Sequence, residues 1–168
     1  MSSKGRVWRF GDDINTDLII PGRYLDNYDP AHLASHAMEG ASKEFAENVR
    51  KGDVVIAGRN FGCGSSREQA VIALKHAGVS AVVAKSFARI FYRNAVNLGL
   101  PVVISSDACD LFIDGEVVIT DMSEGVMISE SRKVNSRMDP IPDHLRKILD
   151  AGGLVPYIKE ILAGRAKV

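Results

Sequence analysis

The clearest pattern of apolar and polar positions lies in the middle of the chain. A short apolar run, Val54–Ala57, is too brief for a helix and rich in β-branched residues, so it predicts a buried strand. Apolar positions then recur one helical turn apart over residues 70–77, which predicts a helix with one buried face. Between them lies a turn containing Gly58, Gly62 and Gly64. This stretch therefore predicts a strand, a glycine loop and a helix in succession.

The same alternation continues toward the C-terminus. Residues 80–84 and 102–104 predict two further strands, and the apolar spacing of residues 87–98 predicts a helix between them. Ser86 is placed to cap that helix. Its predicted inner face carries Ile90, Phe91, Ala95 and Leu98. Strands separated by helices pair in parallel through right-handed crossovers.

Further elements are predicted on either side of this parallel unit. Residues 4–10 predict a first strand, and residues 31–38 a short helix. Residues 116–120 and 125–129 alternate around a turn and predict a β-hairpin, followed by a helical C-terminal region interrupted at Gly152-Gly153. The pattern predicts an α/β fold: one three-layer domain over residues 1–168, with a mixed sheet, parallel βαβ crossovers and an added β-hairpin.

Composition narrows the class of protein. The chain has 168 residues, 46% hydrophobic and 25% charged, as expected of a soluble globular domain. Lys plus Arg and Asp plus Glu both number 21, so a net charge of zero argues against a nucleic-acid or membrane surface. Neither a membrane-spanning run nor a signal-peptide pattern is present, so the expected location is cytoplasmic.

Cysteine usage limits the metal chemistry of the chain. Only Cys63 and Cys109 are present, without a C-x-x-C motif, so a disulfide framework is not expected. An iron–sulfur cluster normally takes thiolate ligands from several cysteines, which this chain cannot supply. His32 and His36 lie one turn apart, a spacing that can bind metal, but no third ligand stands nearby. We therefore predict no metal site in this chain.

The glycine loop carries the strongest candidate chemistry. Ser65 with Glu68, and Ser66 with Gln69, have capping-box spacing, which predicts that the helix starts at the serines. Unpaired N–H groups and the positive dipole end of such a helix attract a carboxylate or phosphate. Arg67 adds a planar fork suited to a carboxylate. The alternative is an ordinary capped helix after a tight turn.

The loop does not match the common phosphate and nucleophile motifs. No Lys-Ser/Thr pair follows the glycines, and Arg67 stands where the dinucleotide fingerprint needs its third glycine. A G-x-S-x-G nucleophile elbow is absent as well. Residues 59–68, RNFGCGSSRE, instead strongly resemble the G-x-G-S-S-R-E loop of the aconitase superfamily. The resemblance covers most of the chain and is most specific between Val7 and Leu100.

The resemblance implies a fold and an activity. In this family the loop lies in the swivelling β/β/α domain, which is a separate small subunit in 3-isopropylmalate dehydratase and archaeal homoaconitase. It implies the small subunit of a 3-isopropylmalate dehydratase, a hydro-lyase that isomerises 2- and 3-isopropylmalate in leucine biosynthesis by dehydration and rehydration. A large partner subunit would hold the [4Fe-4S] cluster, and the chain would be active only with that partner.

Three alternatives stay open. The chain could serve homoaconitase or another malate-type hydro-lyase, with the same chemistry on another dicarboxylate or tricarboxylate. It could be a non-catalytic dicarboxylate-binding module, or a thiol enzyme that uses Cys63. Self-association of the isolated chain is also possible.

The resemblance also assigns roles around the glycine loop. Ser65 is the implied base that removes a proton from the substrate carbon, and Ser66 and Arg67 are implied to bind a substrate carboxylate. Asp17 matches an aspartate at the edge of the family's active site, where it orients or shares a proton with a partner histidine. From residue type alone, Asp17 could equally satisfy a turn.

A second implied binding segment follows Asp17. By resemblance, Arg23 contacts a second carboxylate, while Tyr24 and Leu25 contact the variable substituent of the substrate. The alternative is a solvated connection with Tyr24 and Leu25 packed on the core. Asp26 and Asn27 come next, and Asp26 would repel an extra carboxylate, which disfavours homoaconitate. Outside the site, Arg89 and Arg93 share a helix face, and we expect them to be structural.

Overall fold

The computed structural model describes residues 2–164 and contains one mixed sheet of seven strands. The order across the sheet is β4-β3-β2-β1-β5-β6-β7. The strands are β1 (Ser2–Arg9), β2 (Val54–Ala57), β3 (Ala81–Ala84), β4 (Val102–Ile104), β5 (Val117–Asp121), β6 (Val126–Ser129) and β7 (Val134–Arg137). The predicted domain limits, residues 1 and 168, lie outside the described residues.

The sheet has a parallel half and an antiparallel half that meet at β1. Strands β1 to β4 pair in parallel, with Val7 opposite Val54 and Val54 opposite Ala81. Strands β5 to β7 add in antiparallel fashion, starting from β1. The predicted parallel crossovers and added hairpin are therefore confirmed, and β7 extends the hairpin to three strands.

Helices connect the parallel strands and follow them. They are α1 (Thr16–Ile19), α2 (Pro30–Ala34), α3 (Phe45–Asn48), α4 (Glu68–Ala77), α5 (Arg89–Leu98), α6 (Ala108–Leu111), α7 (Asp143–Asp150) and α8 (Leu154–Leu162). A 3-10 turn at Gly22–Tyr24 follows α1. Within residues 2–164, none of these helices has the length and apolar character needed to cross a membrane.

Two cores cover the two faces of the parallel strands, because successive side chains of a strand point to opposite faces. Val55 and Val82 pack under the helical layer, together with Leu74 of α4. Val54 and Val83 belong to the second core. That second core also contains residues of α6 and of the antiparallel half, namely Ala108, Cys109, Val118 and Met127. The sheet therefore curls over itself and forms the predicted three layers.

Four local predictions are wrong. Helix α4 begins at Glu68 rather than at the serines, and its N-cap Arg67 makes no side-chain cap hydrogen bond. Ser86 does not cap α5, because its hydroxyl accepts a hydrogen bond from the Asn60 amide at 2.8 Å. The helix predicted over residues 31–38 ends at Ala34. In addition, Ile90 is 50% exposed rather than on the inner face of α5.

Candidate active site

The glycine loop lies beyond the carboxyl ends of the parallel strands, beside the segment that follows β1. The Gly62 amide donates to the Ile14 carbonyl at 2.7 Å, and the Thr16 amide donates to the Cys63 carbonyl at 2.9 Å. These bonds tie the loop to the start of α1. Ligands of open α/β sheets bind at this end of the strands, so the topology places the loop at a position suited to a site.

The other side of the loop is tied to the segment after β3. The Phe61 amide donates to the Ser86 carbonyl at 3.0 Å, and the Ala88 amide donates to the Phe61 carbonyl at 2.9 Å. Phe61 itself is fully buried and packs edge-on against Phe91, with ring centroids 5.2 Å apart. The loop is therefore held on both sides by backbone hydrogen bonds and anchored from below by an aromatic side chain.

Two glycines of the loop are required by geometry. Gly62 has φ +78°, and a Cβ there would lie 2.2 Å from Cγ of Phe91. Gly64 has φ +93°, a conformation that side chains with a Cβ rarely adopt. The loop consequently approaches α5 and α1 more closely than any larger residue would permit.

Ser65 and Ser66 follow Gly64 and are both exposed. Their hydroxyls make no hydrogen bond to any part of the chain that the structure describes. The capping role that their spacing predicts is wrong, since α4 starts three residues after Ser65. Arg67, which follows the two serines, has an extended backbone, with φ −134° and ψ 106°. The two hydroxyls thus stay available to a ligand.

The structure brings Asp17 and Arg67 together. Nη1 of Arg67 donates to Oδ1 of Asp17 at 2.5 Å and also lies 3.4 Å from the Ile20 carbonyl. The Arg67 side chain is 17% exposed and that of Asp17 is 66% exposed. Asp17 is the second residue of α1, a helix capped by the Asn15 side chain, which accepts from the Leu18 amide. The remaining N–H groups of the guanidinium have no partner within residues 2–164, so they can bind an anion.

The 3-10 turn that carries Arg23 and Tyr24 lies next to Asp17. A Cβ placed on Gly22 would lie 3.8 Å from Oδ1 of Asp17. Arg23 forms an ion pair with Glu39. Tyr24 and the following residue, Leu25, are half-buried and pack against the core under the helices. The turn therefore borders the site, but the Arg23 guanidinium already has an acidic partner.

Glu39, which no sequence motif indicates, is the shared partner of side chains around this turn. Its Oε1 accepts a hydrogen bond from the Tyr24 hydroxyl at 2.8 Å, and its Oε2 lies 2.7 Å from Nδ1 of His36. Burial raises the pKa of Glu39, but hydrogen bonds from His36, Tyr24 and Arg23 outweigh it and leave the pKa below its usual range. The i,i+3 spacing of His36 and Glu39 is the one sequence feature that could have indicated this contact.

The candidate metal ligands and thiols do not assemble a metal centre. His32 and His36 have ring centroids 5.1 Å apart, and His36 is engaged with Glu39. No group of three or more potential ligands occurs among the described residues. Cys63 is half-buried and Cys109 buried, and both are free thiols. These residues do not fit an iron–sulfur cluster, which needs several thiolates at one place.

Arg89 and Arg93 lie outside the candidate site. Both are exposed on α5, and neither has an ion pair within residues 2–164. With Phe87, Tyr92 and Ile104 they border a surface groove of about 430 Å³. Their predicted structural role stays a prediction.

Comparison with known proteins identifies the family. Residues 13–107 match the family model of the aconitase C-terminal domain. The methanogen homoaconitase small subunit of Methanothermobacter thermautotrophicus is 56% identical over 162 residues, covering 96% of this chain and 94% of that protein. The 3-isopropylmalate dehydratase small subunit 1 of Methanopyrus kandleri is 56% identical over 156 residues, covering 93% of this chain and 92% of that protein.

A solved structure gives the same result. The crystal structure of 3-isopropylmalate dehydratase from Methanocaldococcus jannaschii superimposes with a TM-score of 0.92 at 48% identity, covering 99% of this chain and 100% of that chain. The chain belongs to the aconitase C-terminal domain family, and within it to the small subunits of the dehydratases.

Proposed function

We propose that this chain is the small subunit of a 3-isopropylmalate dehydratase. Together with a large subunit, it would interconvert 2- and 3-isopropylmalate by stereospecific dehydration and rehydration, a step of leucine biosynthesis. The observation that carries the proposal is the Arg67 guanidinium, held by Asp17 beside the exposed serines of the glycine loop. This arrangement offers a carboxylate-binding fork next to a candidate base, and a malate-type substrate requires both.

Each residue of the site has a role in this proposal. Ser65 would take the proton from the substrate carbon with its hydroxyl oxygen, which requires an alkoxide that the nearby guanidinium stabilises. Ser66 and the free N–H groups of Arg67 would bind a substrate carboxylate. Asp17 would hold Arg67 in place and orient a histidine of the partner subunit.

The second binding segment would contact the rest of the substrate. Arg23 would face a second carboxylate, while Tyr24 and Leu25 would contact the variable substituent. Their packing on the core leaves each of them partly exposed, which is compatible with such a contact.

The chain would be an incomplete enzyme. Its two cysteines cannot hold a [4Fe-4S] cluster, so the partner subunit would supply it. Free thiols also suit a reducing compartment, and we place the reaction in the cytoplasm. The isolated small subunit should therefore be colourless and inactive.

A second candidate is the small subunit of homoaconitase, favoured by the 56% identity to the Methanothermobacter thermautotrophicus protein. Its substrate carries an additional carboxylate, which calls for a free cation. Arg23 is paired with Glu39, and Asp26 adds a negative charge two residues after Tyr24. The turn consequently offers little attraction for a further carboxylate, which favours isopropylmalate.

Co-expression with a large subunit of the same family and anaerobic purification test the proposal. We expect a brown complex that converts 3-isopropylmalate with a higher kcat/KM than homoaconitate, while the separate small subunit converts neither. Preference for homoaconitate would favour the second candidate. Binding of malates by the single chain without any turnover in the complex would favour a non-catalytic module.

A further inference from the structure

Glu39 lies outside every motif of the sequence, yet its carboxylate is the centre of the contacts around the 3-10 turn. Arg23 and Tyr24 both donate to its Oε1, and the Tyr24 hydroxyl oxygen lies 2.8 Å from this atom. His36 Nδ1 lies 2.7 Å from the other oxygen, Oε2. The side chain is only 26% exposed. A simple surface ion pair contributes little, but here one half-buried carboxylate joins three donors.

The three partners of Glu39 also contact one another through their rings and the guanidinium. The rings of Tyr24 and His36 are stacked, with centroids 3.6 Å apart and an interplanar angle of 8°. The guanidinium carbon of Arg23 lies 4.7 Å from the centroid of the Tyr24 ring. These two neighbours of the Tyr24 ring are thus partners of Glu39, while a third ring, that of His32, lies edge-on to Tyr24 with centroids 5.9 Å apart. Removing the carboxylate would release the guanidinium and the imidazole together.

The backbone on either side of Glu39 is fixed to helix α1. The Met38 amide donates to the Ile19 carbonyl at 2.7 Å, and the Gly40 amide donates to the Leu18 carbonyl at 3.1 Å. A Cβ on Gly40 would lie 2.7 Å from Cα of Leu18, so the two segments are in close contact. Glu39 therefore keeps a fixed position relative to α1.

Helix α1 is in turn fixed to the glycine loop. It carries Asp17, the partner of Arg67, and the Thr16 amide donates to the Cys63 carbonyl. Glu39 thus links the turn to the loop through one continuous set of hydrogen bonds. Without it, the turn would keep its packing on the core, its own short backbone bonds and the ring contacts of Tyr24, but no charged hydrogen bond to residue 39.

We propose that Glu39 is a positioning residue for the substrate-binding turn at residues 22–25. It holds Arg23 and Tyr24 at a set distance from the glycine loop, so that the second carboxylate and the variable substituent of the substrate meet them in a fixed geometry. This role rests on the proposed dehydratase function, because it assumes that the turn contacts substrate.

The first test uses the full-length small subunit and does not depend on activity. Trypsin cleaves after arginine, so native-state cleavage of the Arg23–Tyr24 bond reports release of the turn. In Glu39→Ala, we expect the rate of this cleavage to rise about tenfold or more, because losing a charged hydrogen bond changes the population of the released turn by about that factor. The matched control is Glu47→Gln, whose exposed carboxylate has no ion pair within the described residues.

The pattern of cleavage separates positioning from general stability. A positioning role raises cleavage at Arg23–Tyr24 selectively, while cleavage after other exposed residues such as Arg50 stays at the control level. A parallel rise at all sites, or no rise at all, would overturn the proposal.

The second test uses the complex with the large subunit. In Glu39→Ala we expect KM for isopropylmalate to rise about tenfold while kcat stays within about threefold, because the turn contributes to binding rather than to proton transfer. Glu39→Gln keeps the hydrogen bond from Tyr24, so its KM should lie between those of wild type and Glu39→Ala. A KM within about twofold of wild type in the assembled Glu39→Ala complex would overturn the proposal. An inactive wild-type complex would instead contradict the proposed function, and the cleavage test would still report whether Glu39 holds the turn.

Discussion

Arg67 and Asp17 are 50 residues apart in the chain, and Nη1 of the arginine donates to Oδ1 of the aspartate at 2.5 Å. The pair joins the glycine loop to helix α1 at the edge of the candidate site. Asp17 and the Ile20 carbonyl contact only Nη1 of the guanidinium, and its other N–H groups have no partner within residues 2–164, so they can bind an anion.

Replacing Arg67 by lysine should weaken substrate binding before it affects the chemistry. Lysine keeps the charge but loses the planar fork, so it cannot bind Asp17 and a substrate carboxylate in the same geometry. Losing one charged hydrogen bond costs about 1.5–3 kcal/mol, which corresponds to a KM about ten- to a hundredfold higher. Steady-state kinetics on the reconstituted enzyme measures this, with Lys51→Arg, an exposed site, as control. An unchanged KM would show that Arg67 does not bind the substrate.

Cys63→Ser should leave the reconstituted enzyme within about threefold of wild-type kcat, because a thiol that is not the nucleophile is dispensable. The backbone carbonyl of Cys63, not its sulfur, makes the hydrogen bond to Thr16. Its neighbours Gly62 and Gly64 determine the shape of the turn. Complete loss of turnover in a folded, assembled complex would revive the thiol mechanism.

Gly62→Ala should destabilise the small subunit, since the new Cβ would meet the Phe91 ring at 2.2 Å in a backbone with φ +78°. Overpacking and the left-handed conformation together cost about 2–4 kcal/mol. Gly11→Ala is the matched control, because a Cβ there meets nothing within 4 Å and its φ lies outside the left-handed range. Denaturant unfolding compares the two variants with wild type. Equal stability of both variants would show that the loop has another conformation.

The contribution of Glu39 to stability should depend on pH. Its pKa is lowered in the folded chain, so its charged form favours folding above the pKa it has when unfolded, about 4.3. That advantage is lost as the pH falls through the lower folded-state pKa. The difference in unfolding free energy between wild type and Glu39→Gln should therefore shrink on acidification below about pH 4.3. A difference that stays constant from neutral to acidic pH would contradict the assigned contacts.

Most of the parallel half could be predicted from the sequence, because its periodicity is strong and local. Val54–Ala57 and Val102–Ile104 are strands with the predicted limits, and α4 ends at Ala77, the last residue of the predicted helix. The family resemblance of the glycine loop identified the candidate residues, and it is confirmed by the comparisons.

The features that were missed depend on contacts distant in sequence. Helix α4 starts only at Glu68, after loop residues Gly62 and Cys63, whose backbone bonds go to Ile14 and Thr16. Strand β7 has little apolar pattern, and its pairing with β6 decides its conformation. Glu39 carries no motif, and only the fold places it beside Arg23, 16 residues earlier.

Ser65 is proposed as the base of a dehydratase whose active site this chain completes. Ser65→Ala in the reconstituted enzyme tests this proposal most directly, with circular dichroism and partner binding as controls for folding and assembly. General base catalysis contributes about 10²–10⁴-fold to the rate of a reaction. We therefore expect kcat to fall by a factor in that range or more, while KM changes little. A near-normal kcat in the assembled Ser65→Ala enzyme would show that the glycine loop is only a structural turn and would contradict the catalytic assignment.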